Sequence, residues 1–272
     1  MDLSQALEMV TCSDVGKTRS HNEDAVVTNP ARGLAILADG MGGYNAGEVA
    51  SSMAVSLLGE SLAQGVAELE VPNREAESGD VHAVIAAAIG QSNAAIYEAA
   101  QGHSQCAGMG TTLVVALFRD NTLSVAHIGD SRLYRFRDRR LAQLTRDHSL
   151  LQEQIDIGLI TPAEARFSQN RNLVTRALGV DPAVEADIAD FDTLPGDVYL
   201  LCSDGLNDML DDGEIELTLA DFASDLSLAA SQLIQKANER GGRDNVSVVL
   251  VRVRREFPHS ANWLDRVMSW LT

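Results

Sequence analysis

The sequence predicts an α+β fold in which helices cover packed antiparallel sheets. Three observations carry that expectation: short apolar runs broken by polar turns, two long alanine-containing amphipathic segments set between strands, and a late helix followed by one closing strand. Segments 25–28 and 33–38 have the run length and composition of strands. From 47 to 65, the apolar positions Val49, Met53, Val55, Leu57, Leu58 and Leu62 predict a helix. The stretch 68–80 is polar and holds Pro72 and Gly79, so it is expected to be a loose connection. A second helix is expected over 81–101, favoured by its alanines and buried through Val84, Ile85, Ile89 and Ile96. Short strands follow at 111–118, 123–128 and 133–136, with hairpin turns at Arg119-Asp120-Asn121 and Arg137-Asp138-Arg139. The polar, more helical insert 147–171 interrupts the strands, which resume at 197–202. A helix over 225–240 and a strand over 245–253 complete the pattern. This order fits helices laid on packed antiparallel sheets better than a doubly wound parallel sheet.

Composition narrows the function classes. The 272 residues are 45% apolar, enough for a sizeable core, and the formal charge is −18. A duplex-binding surface needs excess Lys and Arg, so no nucleic-acid partner is expected. Cys12, Cys106 and Cys202 are scattered and form no C-x-x-C pair, which argues against a disulfide framework and a structural zinc site. No run approaches the roughly 20 apolar residues of a membrane span, and the first residues lack a secretory signal. A cytoplasmic monomer is expected.

Four aspartates in short motifs carry the chemistry. They are Asp24 in Asn22-Glu23-Asp24, Asp39 in Asp39-Gly40-Met41-Gly42-Gly43, Asp204 in Ser203-Asp204-Gly205, and Asp244 in Arg243-Asp244-Asn245. Three border apolar runs that read as buried strands. A carboxylate there is costly unless positive charge meets it. Few basic residues are near in sequence, so hard oxygen ligands point to magnesium or manganese. Gly16-Lys17-Thr18 imitates the end of a P-loop, but Thr11 stands where that motif needs glycine. No cysteine is followed six residues later by arginine, and H-E-x-x-H, G-x-S-x-G and EF-hand patterns are missing from the sequence.

Six motifs in order then carry a resemblance: Arg19-Ser20-His21-Asn22-Glu23-Asp24, Asp39-Gly40-Met41-Gly42-Gly43, Gly110-Thr111-Thr112, Gly129-Asp130-Ser131-Arg132, Ser203-Asp204-Gly205 and Arg243-Asp244-Asn245. Together they resemble the bacterial-type members of the metal-dependent protein phosphatases, type 2C. The resemblance spans residues 11–253. It implies a four-layer α-β-β-α sandwich with two central antiparallel sheets, and a catalytic domain over 1–255. It also implies two Mn2+ or Mg2+ ions, with Asp39 bridging both. Asp204 and Asp244 would complete the first ion's protein ligands. Glu23 and the Gly40 backbone carbonyl would serve the second, partly through water, and Asp24 would support that shell. Asp130 and Asp204 would hold a third ion, and Arg19 would bind the substrate phosphate. The implied activity is hydrolysis of phosphoserine and phosphothreonine in proteins by a metal-activated bridging water, reversing a protein kinase in signalling. Phosphoryl chemistry agrees: paired metals activate water and clamp oxygens, and a guanidinium grips two phosphate oxygens at once.

Blander readings stand beside these. Asp-Gly pairs are common turns, Asp130 can pair locally with Arg132, and Asp208 suits either the third ion or a solvated helix position. Some family members carry a histidine, proposed as general acid, where this chain has Met41, so no protein acid is assigned. His21 and His148 are expected to be structural. The insert 147–171 matches a flap beside the site, expected to be mobile and substrate-facing. The acid-rich stretches 181–197 and 211–225 are expected to be solvated faces. The tail 256–272 places Trp263, Leu264, Val267, Trp270 and Leu271 on one side of a helix. It either packs on the body or docks a partner. A catalytically silent phosphoprotein-binding module is the alternative function; the full ligand set argues against it.

Overall fold

Strands that are apolar on both faces must be covered on both faces, and the chain achieves this in four layers. The computed structural model describes residues 2–43, 46–69, 78–165, 168 and 173–258. In chain order come strands β1 (Leu7–Asp14), β2 (Asp24–Asn29) and β3 (Leu34–Met41), then helices α1 (Ala46–Leu69) and α2 (Ser78–Gly102). The meander comes next as β4 (Gly110–Thr111), β5 (Leu113–Arg119), β6 (Thr122–Ile128), β7 (Arg132–Arg137) and β8 (Arg140–Gln143). Short helices α3 (Leu150–Asp156) and α4 (Pro162–Ala165) lie in the insert. The chain continues through β9 (Asp187–Asp192), β10 (Val198–Cys202), α5 (Asp204–Asn207), α6 (Asp212–Asp221), α7 (Leu226–Glu239) and β11 (Val246–Val253).

One antiparallel sheet has the order β1-β11-β10-β7-β8 and the other β2-β3-β5-β6-β9, with β4 paired to β3. Side-chain alternation sorts the core into three seams. Leu34, Ile36 and Ala38 of β3 face α1 and α2, together with Leu58, Ile85 and Ile89. Their neighbours Ala35 and Leu37 face the second sheet, against Leu201, Val249 and Val251. On that sheet's far side, Val246, Val248 and Leu250 meet Leu233, Ile234 and Ala237 of α7. The expected α-β-β-α sandwich is thus the observed fold.

Both expected hairpin turns form. Asp120 and Asn121 have φ of 54° and 57°, and Asp138 and Arg139 have 52° and 60°, the left-handed pairs that match strand twist. Three strands escaped the sequence reading. β1 and β9 are edge strands of mixed polarity, and β8 has only four residues, mostly exposed. The acid-rich stretches are more than solvated faces. Asp190 accepts from Ser124 Oγ (2.6 Å) and lies 2.9 Å from His82 Nε2. Asp211 forms a capping box with Glu214 on α6, and Asp225 caps α7. No helix among the described residues is long and apolar enough to cross a membrane. Within the expected tail, residues 259–272 lie outside the described residues.

Register brings one end of each sheet to one place. Asp24 sits opposite Asp39, Cys202 opposite both Arg132 and Val248, and Leu113 opposite Ile128. The motifs next to these residues therefore meet at a single edge of the sandwich. Asp197, buried at the other end of β10, accepts two 2.6 Å bonds from Arg137 and one of 3.0 Å from the Tyr199 hydroxyl. Asp197→Ala leaves those donors without their acceptor. It is expected to cost about 2–3 kcal/mol, less than a fully buried pair because Arg137 reaches solvent, as urea unfolding would measure.

Candidate metal centre

The site is a recess of carboxylates that protein charge does not neutralise. Asp24 and Asp39 are direct cross-strand neighbours, an arrangement that repels when both are ionised. Asp204 opens α5 just after β10, and Asp244 stands just before β11. Asp130 follows Gly129 in the turn between β6 and β7. Burial and neighbouring negative charge raise the proton affinity of four of them, Asp24, Asp39, Asp130 and Asp204. Burial, then Asp24, Asp204, Asp130 and Asp244, push the Asp39 carboxyl well above its usual range. Burial, then Asp130, Asp208, Asp244 and Asp24, do the same to Asp204. Burial drives Asp24 up to about 6. Asp130 rises to about 7 through burial, with Asp147 and Asp208 adding to it. Asp208 therefore lies close to the Asp130–Asp204 side of the cluster.

The backbone holding these groups is tightly specified. The Asp39 N–H donates to Thr112 Oγ1 (3.0 Å), and its carbonyl accepts from Thr112 N (2.8 Å) and Thr111 Oγ1 (2.9 Å). Thr112 Oγ1 in turn lies 2.8 Å from Ser131 Oγ. Two motifs recognised as family marks are thus the props of Asp39. Asn245 clamps the other side. Its side chain donates to the carbonyls of Val15 (3.0 Å) and His21 (2.9 Å) and accepts from Glu23 N (2.8 Å). A Cβ on Gly40 would lie 2.1 Å from the Gly47 carbonyl, so only glycine lets strand and helix approach here. The P-loop imitation has a similar origin. Gly16 has φ +78°, and a Cβ there would lie 2.2 Å from the Asp244 carbonyl oxygen.

The donor set fits hard divalent cations. Asp24 Oδ2 accepts from Ser203 Oγ at 2.8 Å, but its buried Oδ1 has no hydrogen-bond partner among the described residues. An orphaned carboxylate oxygen among four further carboxylates is an electrostatic demand for positive charge. Glu23 adjoins the recess, its Oε1 3.2 Å from His21 Nε2. Arg19 stands at the rim, half-exposed, donating from Nη2 to Asp244 Oδ2 at 2.6 Å. Asp130 does not pair locally with Arg132. That guanidinium grips Asp147 through three contacts of 2.7–3.0 Å and donates to the Tyr134 hydroxyl at 2.8 Å. Met41 ends β3, paired with Gly110.

The insert borders this recess. A cleft of about 450 Å3 starts at Asp130 and Asp204 and runs between Leu151 and Ile155 of α3 and the Asp208–Asp212 segment. The insert is rooted by Leu150 N to the Leu173 carbonyl (2.9 Å) and Thr175 N to the His148 carbonyl (2.8 Å). His127, His148 and Asp187 form a separate cluster, which the sequence reading did not assemble. Gly129 N donates to His148 Nδ1 at 3.2 Å. A neutral ring so held keeps its proton on Nε2, 3.4 Å from Asp187 Oδ2, where a metal would need a bare nitrogen. Arg176 already offsets Asp187 at 3.0 Å. The demand for cations is therefore at the aspartates, and His148 is structural.

Fold and site together define a buried carboxylate cluster suited to divalent cations on an α-β-β-α frame. The sequence profile of the Protein phosphatase 2C family matches residues 16–241, and the chain belongs to that family. It is 42% identical over 241 residues to the serine/threonine protein phosphatase PstP of Mycobacterium tuberculosis, covering 89% of this chain and 44% of that protein. The chain thus spans less than half of that relative's length. It is 39% identical over 244 residues to the serine/threonine phosphatase stp of Listeria welshimeri, covering 88% of this chain and 93% of that one. The crystal structure of the PstP catalytic domain in complex with two manganese ions superposes with a TM-score of 0.76 at 39% identity. It covers 90% of this chain and 97% of that one.

The raised carboxyl groups set a pH signature. Each binds its proton more tightly folded than unfolded, where the usual value is 3.8. Between about 4 and 7 the folded state holds more protons, so stability falls as pH rises through that window. In chelator, the melting temperature is expected to be higher at pH 5 than at pH 7.5, by on the order of 10 °C. Saturating Mn2+ should flatten or reverse the trend, because cations stabilise the ionised carboxylates. Thermal scans at both pH values, with and without metal, check this.

Proposed function

We propose that the chain is a Mn2+- or Mg2+-dependent phosphatase of phosphoserine and phosphothreonine in proteins. The observation that carries this reading is the convergence of Asp24, Asp39, Asp130, Asp204 and Asp244 on one recess, with Arg19 at its rim. In this reading Asp39, Asp204 and Asp244 would hold the core ions. Glu23 and the Gly40 carbonyl would add to the set, supported by Asp24, and Asp130 with Asp204 would hold a further ion. Bound cations supply a nucleophilic water at neutral pH and offset charge on the phosphoryl oxygens.

The chain's own residues perform the rest. The Thr111–Thr112–Ser131 props and the Asn245 clamp fix the carboxylates before substrate arrives, so little reorganisation accompanies reaction. Arg19 swings its free guanidinium edge to two phosphate oxygens and orients the ester for in-line attack. Water's oxygen bonds to phosphorus, the bond from phosphorus to the serine or threonine oxygen breaks, and that oxygen takes its proton from solvent. Met41 offers none. The cleft beside α3 receives the polypeptide flanking the phosphoresidue, with α3 as its substrate-facing wall. The same reading makes the protein a cytoplasmic monomer that reverses a serine/threonine kinase in signalling.

Turnover of a phosphothreonine peptide tests the function directly. Chelation is expected to abolish it and Mn2+ to restore it. Full turnover in chelator would refute the reading, and absence of turnover with saturating Mn2+ would favour a silent binding module. Asp39→Asn should lower both Mn2+ affinity and turnover by at least on the order of 100-fold while circular dichroism is unchanged. Arg19→Lys keeps charge but loses the fork. It should lower kcat/KM about tenfold, roughly 1.4 kcal/mol, with Mn2+ affinity unchanged. An equal fall in calorimetric Mn2+ affinity would make Arg19 a support for Asp244 instead.

A further inference from the structure

Gly16-Lys17-Thr18, the segment that imitates the end of a P-loop, has no task in the phosphatase reading. Its backbone is not free to cradle a phosphate. The N–H groups of Lys17 and Thr18 both donate to the Gly242 carbonyl, at 2.7 and 3.2 Å. Gly16 N donates to Asp14 Oδ1 at 2.8 Å. With its amides engaged, the charge this segment still offers an anion is the Lys17 ammonium. Lys17 is exposed, and no carboxylate pairs with it among the described residues.

The turn that receives Lys17 and Thr18 brings a second such cation alongside. A Cβ on Gly242 would lie 3.2 Å from Lys17 Cγ, and one on Gly241 would lie 3.8 Å from Arg243 Nε. The stems of Lys17 and Arg243 therefore both run along this glycine pair. Arg243 is exposed and also unpaired among the described residues. It is the covalent neighbour of Asp244, whose Oδ2 accepts from Arg19 at 2.6 Å. Arg19, Lys17 and Arg243 thus stand at one side of the recess, and the last two have no carboxylate of their own. The chain has a formal charge of −18 and two lysines, Lys17 and Lys236, so uncompensated positive charge here is a local exception.

The cleft beside α3 has the opposite sign. Asp208, Asp211 and Asp212 line it, and its arginines Arg132 and Arg240 are held by Asp147 and Glu214. Met209 stands between the two regions: it lines the cleft, and its Sδ would lie 3.7 Å from a Cβ on Gly241. A polypeptide crossing the recess therefore meets negative charge on one flank and positive charge on the other.

We propose, on the phosphatase reading above, that Lys17 and Arg243 form a second anion site beside Arg19. It selects polypeptides carrying another phosphate or a carboxylate a few residues from the phosphoserine or phosphothreonine. An extended chain advances about 3.3–3.6 Å per residue, so a group two or three residues away can pass from Arg19 to the neighbouring cations.

Three phosphothreonine peptides that differ in one flank test this on the full-length protein with saturating Mn2+. The flank is uncharged, carries two glutamates, or carries a non-hydrolysable phosphonate two residues away. At low salt, kcat/KM for an anionic peptide is expected to exceed that for the neutral one about fivefold, since exposed charge pairs are individually weak. The preference should shrink toward parity in about 0.5 M NaCl. Lys17→Ala combined with Arg243→Ala should bring the ratio near one, and Lys17→Glu with Arg243→Glu should invert it. The ratio is internal to each variant, so a changed folded fraction cancels. Arg255→Ala removes an exposed charge beyond the far end of β11 and should leave the ratio as it is. Equal favour for glutamates and phosphonate makes the site a reader of charge; favour for one alone names phosphate or carboxylate as its ligand. A wild-type ratio near one, with every peptide turned over, would overturn the second site and leave the phosphatase reading standing. A preference that survives in the double alanine variant would do the same. If neither the peptides nor a small aryl phosphate is hydrolysed, the phosphatase reading falls and the second site with it.

Discussion

Repulsion between Asp24 and Asp39 is the constraint on which the rest of the structure depends. Strand pairing sets the two carboxylates face to face, and Asp130, Asp204 and Asp244 add further negative charge around them. No arrangement of uncharged packing removes that cost. The protein holds it with backbone bonds, glycine-only approaches and a buried hydroxyl relay, all clustered at one edge of the sandwich. Stability is thereby sacrificed in the absence of cations and regained with them, because any species that binds only the folded state stabilises it by mass action.

The scaffold explains why such an edge can exist. Two sheets buried on both faces give rigid strand ends, and the ligands project from those ends rather than from the strand centres. Side chains fixed at rigid ends keep their spacing when a charged ester enters. The less regular segments, the insert and the 207–212 turn, form the cleft next to them. The less regular segments are thus kept apart from the unyielding carboxylate centre beside them.

Most of this was legible in the sequence. Doubly buried strands such as Val198–Cys202 and Val246–Val253 announce themselves as apolar runs, and α1 and α2 by their periodicity. The six ordered motifs marked the aspartates, and the structure brings them together. The elements that stayed hidden lack a local signal. Asp187–Asp192 is an edge strand written in acids, so it looks like a solvated face. The Thr112 prop acts on a residue 73 positions away, and Asn245 binds Glu23 across 222. Such long-range polar pairs leave no periodicity to detect. The motif order named these residues without showing that they act as braces.

The Asn245 clamp also ties function to the order of synthesis. Its amide joins the carbonyls of Val15 and His21 and the Glu23 N–H to a residue near the closing strand. A chain still emerging from the ribosome can assemble the β2-β3-β5-β6-β9 sheet with α1 and α2, but not the complete recess. Until the closing strand clears the exit tunnel, Asp244 and the Asn245 clamp have not joined the Asp24–Asp39 pair. The nascent chain therefore has no competent centre with which to act on, or sequester metal from, its surroundings.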